Sequence, residues 1–277
     1  ITPSGSATVA VLDTGVDGSH PDLDGSVVAG TSILDGSNGL TDSNGHGTWL
    51  AGIAAAETGN GAGIAGVGYA GVNIMPVTVL GADGNGTDSD IITGVVYAAD
   101  NGADVILMGF SNPGYSQALQ DAVNYAWNAG AVLVAATGNN GSATPTYPAG
   151  MAGVMGVSST NQSDALASGS NYGDAVFIAA PGTDIYTTSS GGGYANTSGT
   201  SAAAAVVAGA AALIEASSGA SNGVIVNRLA ANADPAGTAA QTGNGRVNLN
   251  RSLADTSTSS IKITSTSSIS GRHRSNE

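Results

Sequence analysis

The chain has 277 residues, of which 42% are hydrophobic and only 9% charged, and its formal net charge is −14. This length and composition are typical of one large folded domain with a sizeable core, and they exclude extensive disorder. The acidic balance argues against nucleic acid as a partner, because phosphates bind surfaces rich in Lys and Arg, and the absence of cysteine excludes disulfides and thiol chemistry.

Short β-branched runs alternate with helical patterns along the sequence. Strands are predicted at residues 9–12, 72–80, 104–108, 131–136, 154–158 and 175–180. Helices are predicted at residues 46–56, 88–99, 116–129, 201–216 and 221–231, with Asp88 or Ser89 capping the second of them. The alternation indicates an α/β fold with a doubly wound, mostly parallel sheet and helices on both faces. Active sites in such folds lie at the carboxyl ends of the strands.

Composition divides the chain into two parts. Residues 1–255 carry the strand and helix patterns and are predicted to form one domain. Residues 256–277 are rich in Ser and Thr and poor in core residues, so we expect a tail or linker there. The longest apolar run, 202–214, is shorter than a membrane span and indicates a buried helix, so no membrane partner is expected. A start at Ile1 without a visible signal peptide is expected of a processed product.

Asp13 ends the first predicted strand, in the stretch Leu12-Asp13-Thr14-Gly15. A carboxylate in this position can orient a partner at the carboxyl edge of the sheet. The same letters are also found in aspartic proteases, whose chemistry needs two aspartates that share a proton. No second Asp-Thr-Gly or Asp-Ser-Gly occurs in this chain, so only a dimer could supply the second carboxylate.

His46 follows the glycine-bearing stretch 42–45 and opens a predicted helix. The chain has three histidines; His273 lies in the predicted tail and His20 precedes Pro21 in a loop-like segment. His46 is therefore the best candidate for a general base, because the ordinary pKa of histidine suits proton transfer near neutral pH. A purely structural histidine is the alternative.

Ser201 lies where the turn Ser198-Gly199-Thr200 enters a long Ala/Val helix. Free backbone N–H groups and the helix dipole favour negative charge at such an N-terminus. A serine there can attack a carbonyl and find a donor for the resulting oxyanion. An ordinary Ser/Thr cap on a core helix is the alternative.

The chain order Asp13, His46, Ser201 is that of one convergent class of acyl-transfer triads. An α/β-hydrolase would need the order Ser, Asp, His and a Gly-x-Ser-x-Gly elbow, which this sequence lacks. The order His, Asp, Ser belongs to paired β-barrels, which the α/β pattern does not suit.

Three sequence blocks resemble the subtilisin-like serine peptidases, or subtilases. They are residues 9–23 around Asp13, 42–52 around His46 and 198–209 around Ser201, and the likeness extends over about residues 8–255. The resemblance implies a serine endopeptidase that hydrolyses extended polypeptides through an acyl-enzyme. It also implies secretion to the extracellular space and a propeptide that is not present in this chain.

A fourth match, 135–139, implies that Asn139 donates its side-chain amide to the oxyanion. By the same resemblance, substrate binds in extended form between two edge segments, Asn85-Gly86-Thr87 and Gly109-Phe110-Ser111. The side chain before the scissile bond enters a pocket walled by the second segment and Gly138, with Thr146 near its base. Glycine and asparagine that merely form turns are the alternative for these loops.

Many subtilases hold structural calcium, and two stretches match one such site. Asp22 corresponds to a carboxylate ligand. The loop 58–64 corresponds to one in which Asn60 gives a side-chain oxygen and Thr58, Ala62 and Ile64 give main-chain carbonyls, which are ligands that suit calcium. A plain glycine loop without metal is the alternative.

Several positions depart from the family pattern. Ala202 stands where methionine is usual, Ala205 where proline is usual, and Trp49 in place of a second histidine. The segment 109–112 replaces a usual Ser-Leu-Gly-Gly. These changes spare the triad but alter the cleft. They leave open an alternative function, a subtilase-fold protein with lost or weak turnover that acts as a peptide-binding module.

Overall fold

A seven-stranded parallel sheet forms the centre of the protein, in a computed structural model that describes residues 2–264. Its strand order is β2-β3-β1-β4-β5-β6-β7. The strands are β1 Ala7–Asp13, β2 Thr31–Ser32, β3 Val72–Thr78, β4 Val105–Met108, β5 Val132–Ala136, β6 Val154–Thr160 and β7 Ile178–Pro181. Residues of β4, β5 and β6 are all buried, as expected for parallel strands that are covered on both faces.

Helices cover both faces of this sheet. They are α1 His46–Ala55, α2 Asp88–Asp100, α3 Gln117–Asn128, α4 Thr200–Ser218, α5 Asn222–Ala231, α6 Ala239–Thr242 and α7 Leu249–Ala254. α2 packs beside Leu12, and α1 packs beside Asp13, the next residue of β1. Because successive residues of a strand point to opposite faces of the sheet, α1 and α2 lie on opposite faces. α4 packs with α1, and α3 packs with α2. The predicted α/β fold with a doubly wound sheet is confirmed.

α4 runs through the core along the sheet. Fourteen of its 19 residues are buried, and it contacts strands β1 and β3–β7. Within the described residues it is the one helix long and apolar enough to cross a membrane. Its burial inside the protein accounts for that composition, because a helix that is apolar on all sides needs neighbours on all sides.

An antiparallel hairpin outside the main sheet was not predicted. It consists of β8 Ile185–Ser189 and β9 Gly193–Thr197. The Thr187 and Thr188 hydroxyls donate to the Trp49 and Thr48 carbonyls of α1. The hairpin is therefore held to α1 by polar contacts. Because its buried residues are polar, the sequence shows no alternation of apolar and polar residues there.

The predicted cap of α2 is wrong, and one short strand was not predicted. The cap of α2 is Thr87 rather than Asp88 or Ser89, because Thr87 keeps an extended backbone and its side chain accepts from the Asp90 N–H. Asp88 is already the first residue of the helix. The edge strand β2 has only two residues, too short to leave a pattern.

Residues 256–264 lie against the folded body. The buried Arg228 donates from Nε and Nη2 to the Ser257 carbonyl at 3.1 and 3.0 Å. The Ile261 N–H donates to the Gly223 carbonyl, and the Gly153 N–H donates to the Ile263 carbonyl. The division of the chain at residue 255 stays a prediction, and residues 265–277 of the predicted tail lie outside the described residues.

Candidate active site

A crevice opens at the carboxyl edge of the sheet between β1 and β4. In the sheet β3 lies on one side of β1 and β4 lies on the other, so the strand order along the chain changes direction at β1. Ligands of open α/β sheets bind at such a switch in strand order. Asp13 is the last residue of β1, and Gly109 follows β4 directly.

His46, the first residue of α1, bonds to Asp13. Its Nδ1 lies 2.8 Å from Oδ1 and 2.9 Å from Oδ2 of Asp13. The Asp13 side chain is fully buried, whereas that of His46 is 27% exposed. α1 can come this close because residue 47 is glycine: a Cβ on Gly47 would lie 2.0 Å from the Gly15 carbonyl oxygen.

Two opposing effects act on the pKa of His46. Burial disfavours the charged imidazolium and lowers the pKa, but the charge of Asp13, its hydrogen bond and the more distant charge of Asp42 raise it. The net result is a pKa above the ordinary value of 6.5. An imidazole tuned in this way accepts a proton readily near neutral pH, with Nε2 as the nitrogen that Asp13 does not occupy.

Ser201 is the second residue of α4 and lies across the crevice from β1. Its hydroxyl donates to the Gly109 carbonyl at 2.6 Å. Ser201 and His46 line one cleft of about 270 Å³. The positive end of the α4 dipole faces this cleft, which favours negative charge beside Ser201.

Asn139 follows β5 and lines the same cleft. Its Oδ1 accepts from the Thr200 N–H at 2.9 Å and from the Thr200 hydroxyl at 3.2 Å. These bonds hold the Asn139 amide with its oxygen towards Thr200. The NH₂ group therefore lies on the side of the amide away from Thr200. A second bond from the Gly138 N–H to the Thr200 hydroxyl joins the end of β5 to α4.

The predicted substrate segments lie around this cleft to different degrees. Gly109, Phe110, Ser111 and Gly138 line it. Gly138 has φ 99°, and a Cβ there would lie 2.6 Å from Asn171 Nδ2, so this wall needs glycine. Residues 85–87 form an exposed rim beside the lining residue Gly84. Thr146 is not among the lining residues, and its hydroxyl donates to the Thr137 carbonyl.

Sequence reasoning missed several residues of the cleft wall, which are Thr14, Asn44, Leu80, Gly84, Ala136 and Thr200. Thr14, Asn44 and Thr200 lie within two positions of a predicted triad residue, so proximity in sequence was an available signal. Leu80 and Ala136 lie at the ends of predicted strands, and their place on the wall follows from where those strands end in space.

The predicted metal residues gather around the buried Asp22. Its Oδ1 accepts from Asn60 Nδ2 at 2.7 Å, and its Oδ2 accepts from the Ile64 N–H at 2.8 Å. The Tyr194 hydroxyl also bonds to this carboxylate; burial, the Asp22 charge and this bond raise the pKa of Tyr194. These partners are all neutral, so the charge of Asp22 has no cationic neighbour among its described partners.

This loop fits calcium in the chemistry of its donors. Asn60 turns its Nδ2 to Asp22, and its Oδ1 accepts from the Ala62 N–H at 3.1 Å, so the side-chain oxygen would have to leave that bond to reach a cation. The carbonyls of Thr58, Ala62 and Ile64 belong to the same loop. No group of three or more His, Cys, Asp or Glu side chains suited to a metal occurs within residues 2–264. A calcium ion here would therefore depend mainly on amide and main-chain oxygens, which calcium accepts.

His20 has a structural environment. It is fully buried, its Nε2 lies 2.8 Å from the Gly193 carbonyl, and its Nδ1 accepts from the Asp22 N–H at 3.1 Å. These two bonds join the Asp22 turn to β9.

Comparisons with known proteins agree over most of the chain. The model of the subtilase family matches residues 4–259. A thermophilic serine proteinase from Bacillus sp. (strain AK1) is 50% identical over 180 residues, which are 65% of this chain and 45% of that protein. Thermitase from Thermoactinomyces vulgaris is 46% identical over 188 residues, 68% of this chain and 67% of thermitase.

A solved structure has the same fold. The crystal structure of a cold adapted subtilisin-like serine proteinase matches with a TM-score of 0.78 at 34% sequence identity, and the match covers 88% of this chain and 87% of that one. The match to the Bacillus proteinase spans less than half of that protein's length.

The Asp13–His46 pair gives a prediction that needs no substrate. Asp13→Asn removes the charge that stabilises the imidazolium, so the pKa of His46 should fall below its value in the parent protein. A proton NMR titration of the His46 ring, assigned by loss of its signals in His46→Ala, measures both values. Asp104→Asn, which changes a half-buried carboxylate at the opposite edge of the sheet, is the control. Equal titration midpoints in Asp13→Asn and the parent would contradict the pairing.

Proposed function

The chain belongs to the subtilase family, and on this premise we propose that it is a serine endopeptidase that cleaves extended polypeptides through an acyl-enzyme. The observation that carries the proposal is the contact between buried Asp13 and His46, whose ring lines one cleft with Ser201 and Asn139. In the proposed roles Ser201 is the nucleophile, His46 the general base and then acid, and Asp13 the group that orients His46.

Acylation begins when the Ser201 hydroxyl leaves the Gly109 carbonyl and turns to Nε2 of His46. Its oxygen bonds to the substrate carbonyl carbon, its proton passes to Nε2, and the carbonyl electron pair moves onto oxygen. The Ser201 N–H and the Asn139 side-chain amide donate to that oxyanion. The intermediate then collapses: the C–N bond breaks, the amine takes the proton from Nε2, and the acyl group stays on Ser201.

Deacylation repeats these steps with water in place of serine. His46 takes a proton from water, the hydroxide oxygen bonds to the acyl carbon, and Ser201 leaves with the proton that His46 returns. Asp13 stabilises the imidazolium in both halves and holds Nδ1, so that Nε2 faces the reacting atoms. Because His46 must be neutral at the start, we expect kcat/KM to rise with pH through its raised pKa.

The substrate is proposed to lie between residues 85–87 and residues 109–111. Main-chain hydrogen bonds along such edges tolerate many side chains. Glycine at residue 109 leaves room for the catalytic pair, since a Cβ there would lie 3.0 Å from Oδ2 of Asp13 and 3.2 Å from Cε1 of His46. Secretion and a propeptide outside this chain stay predictions.

Removal of the nucleophile is the first test. Ser201→Ala should lower peptide hydrolysis by roughly 10⁶-fold, the effect known for subtilisin, a relative, rather than a value obtained from this structure. Asn139→Ala should cost roughly 10²–10³-fold, again by analogy with subtilisin. The measurements are kcat and KM on a chromogenic peptide, with His20→Gln as a control for the loss of a buried polar side chain away from the cleft.

A phosphonylating reagent separates enzyme from peptide-binding module. We expect stoichiometric labelling of Ser201 in the parent protein and none in Ser201→Ala. Peptide binding without labelling or turnover would favour the binding module, and activity within tenfold of the parent in Ser201→Ala would remove the triad assignment.

We further propose that Asp22 and the loop 58–64 hold a structural calcium ion. The support is a fully buried carboxylate whose described partners are neutral, beside a loop that can present several oxygens. When bound, calcium would tie this loop to the turn that follows β1, and it has no step in the reaction.

Calcium should therefore raise the melting temperature. A ligand at 100 times its Kd that binds only the folded state adds about 2.7 kcal/mol to the free energy of unfolding. Circular dichroism melts in calcium and in chelator measure the effect. Asp22→Ala should abolish it, whereas Asp83→Ala, which changes an exposed carboxylate bonded within its own turn, should retain it. A parent melting temperature unmoved by calcium and by chelator would contradict the site.

The charge distribution also bears on substrate. Residues 1–227 contain no Lys or Arg, and only three of the 20 acidic residues come later. The cleft rim carries Asp83, Asp88 and Asp90 beside residues 85–87. The four described basic side chains are engaged elsewhere: Arg246 and Arg251 pair with Asp234, Arg228 donates to the Ser257 carbonyl, and Lys262 lies over Trp127. We propose that this field favours cationic peptides.

Two peptides that differ by Lys or Glu on the N-terminal side of the scissile bond test this preference. At low salt kcat/KM should favour the Lys peptide by roughly tenfold, and 1 M salt should remove most of the difference, since the Debye length is then about 3 Å. Asp88→Asn should reduce the ratio, and Asp100→Asn, at the other end of α2, should not. A neutral peptide reports the basal activity, and equal rates for both charged peptides would contradict the preference.

A further inference from the structure

A second buried carboxylate, Asp42, lies at the base of the candidate site without a role in the chemistry above. It is 8% exposed. Its Oδ1 accepts from the Thr14 hydroxyl at 2.8 Å, from the Gly45 N–H at 2.7 Å and from the Asn44 N–H at 3.1 Å. Its Oδ2 accepts from the Thr48 N–H at 2.9 Å and from the Thr48 hydroxyl at 2.6 Å.

These bonds join the two elements that carry the catalytic pair. Thr14 follows Asp13 at the end of β1, and Gly45 and Thr48 flank His46 at the start of α1. The Thr14 hydroxyl also accepts from the Gly47 N–H at 3.1 Å. Asp42 and Thr14 therefore form a polar bridge from the residue after Asp13 to the residue after His46.

Without Asp42, the buried N–H groups that bond to it would lack a partner, which costs free energy. The first N–H groups of a helix have no partner within the helix, and Gly45, the residue before α1, has φ 103°. A carboxylate at this end of α1 also interacts favourably with the helix dipole. The Asp42 side chain thus accepts from the N–H groups of the loop before α1, holds the first turn of α1 and fixes the distance between α1 and β1.

We propose that Asp42 is a positioning residue for the proposed hydrolysis, which acts through Thr14 and the first turn of α1 to hold His46 against Asp13. The inference rests on the proposed function, but its geometry can be tested without substrate. Asp42 does not bond to the His46 ring; Asp13 and Asp42 are the carboxylates whose charge acts on that ring.

Asp42→Asn is the variant that tests the bridge. An amide has one acceptor oxygen where the carboxylate has two, so its NH₂ must face either the Gly45 and Asn44 N–H groups or the Thr48 N–H. The amide NH₂ and the backbone N–H it faces are both donors, so they repel each other and the turn opens. Because small displacements of a catalytic group are costly, we expect kcat to fall by roughly 10- to 100-fold. KM should stay within about twofold, since residues 85–87 and 109–111 are untouched.

Two further readouts distinguish positioning from general loss of structure. The acid limb of the pH dependence of kcat/KM should move to lower pH, because a negative charge near the imidazolium is lost. The downfield proton resonance of His46 Nδ1–H should shift or broaden as the bond to Asp13 loosens. Asp104→Asn should leave kcat, the acid limb and the resonance unchanged.

The outcomes separate the inference from the proposed function. If the parent hydrolyses peptides and folded Asp42→Asn matches it in kcat, acid limb and Nδ1–H resonance, the positioning role is overturned while the function stands. If the parent has no activity, the function fails and the resonance alone decides the inference. If Asp42→Asn does not fold, Thr14→Val, which keeps the carboxylate but removes the bridging hydroxyl, should lower kcat and alter the resonance; a folded Thr14→Val with parent values of both overturns it.

Discussion

The contact between buried Asp13 and the imidazole of His46 constrains the rest of the site. A carboxylate without solvent needs strong partners, and Asp13 has them in His46 and in the Thr14 N–H at 2.8 Å. The contact forces the first turn of α1 onto the end of β1, where only glycine fits at residue 47. Ser201 and Asn139 then reach the same cleft because α4 and β5 are packed against β4.

The sequence was sufficient for features that depend on one element and its boundary. Asp13 ends a strand, His46 begins a helix and Ser201 lies in the first turn of one, so the residue pattern alone predicts each at the carboxyl edge of a parallel sheet. The β8–β9 hairpin could not be foreseen, since Thr187 and Thr188 are buried by hydroxyl bonds to α1 rather than by apolar alternation. The role of Asp42 depends on contacts between residues 28 positions apart in sequence, which no local pattern encodes.

The departures from the family pattern are accommodated by their neighbours. Ala202 and Ala205 are almost fully buried in α4. The Trp49 ring packs edge-on to His46, with ring centroids 5.9 Å apart. A Cβ on Gly109 would lie 2.4 Å from Cδ1 of Leu50, so the leucine of α1 occupies space that a side chain at residue 109 would need. Of these positions, Gly109 lines the cleft, and the Asp13–His46 contact is in place beside all of them.

Three buried aspartates are held by hydrogen bonds, with no Lys or Arg among their described partners. Asp13, Asp22 and Asp42 are each at most 8% exposed, and the described hydrogen bonds to Asp22 and Asp42 come from amides and hydroxyls. Several such donors can stabilise a carboxylate as one salt bridge does. Several of these donors are backbone N–H groups of the surrounding turns, so the bonds that stabilise the carboxylate also fix the turn. A chain with no Lys or Arg before residue 228 can therefore still build a precise site, because its buried carboxylates organise the loops that surround them.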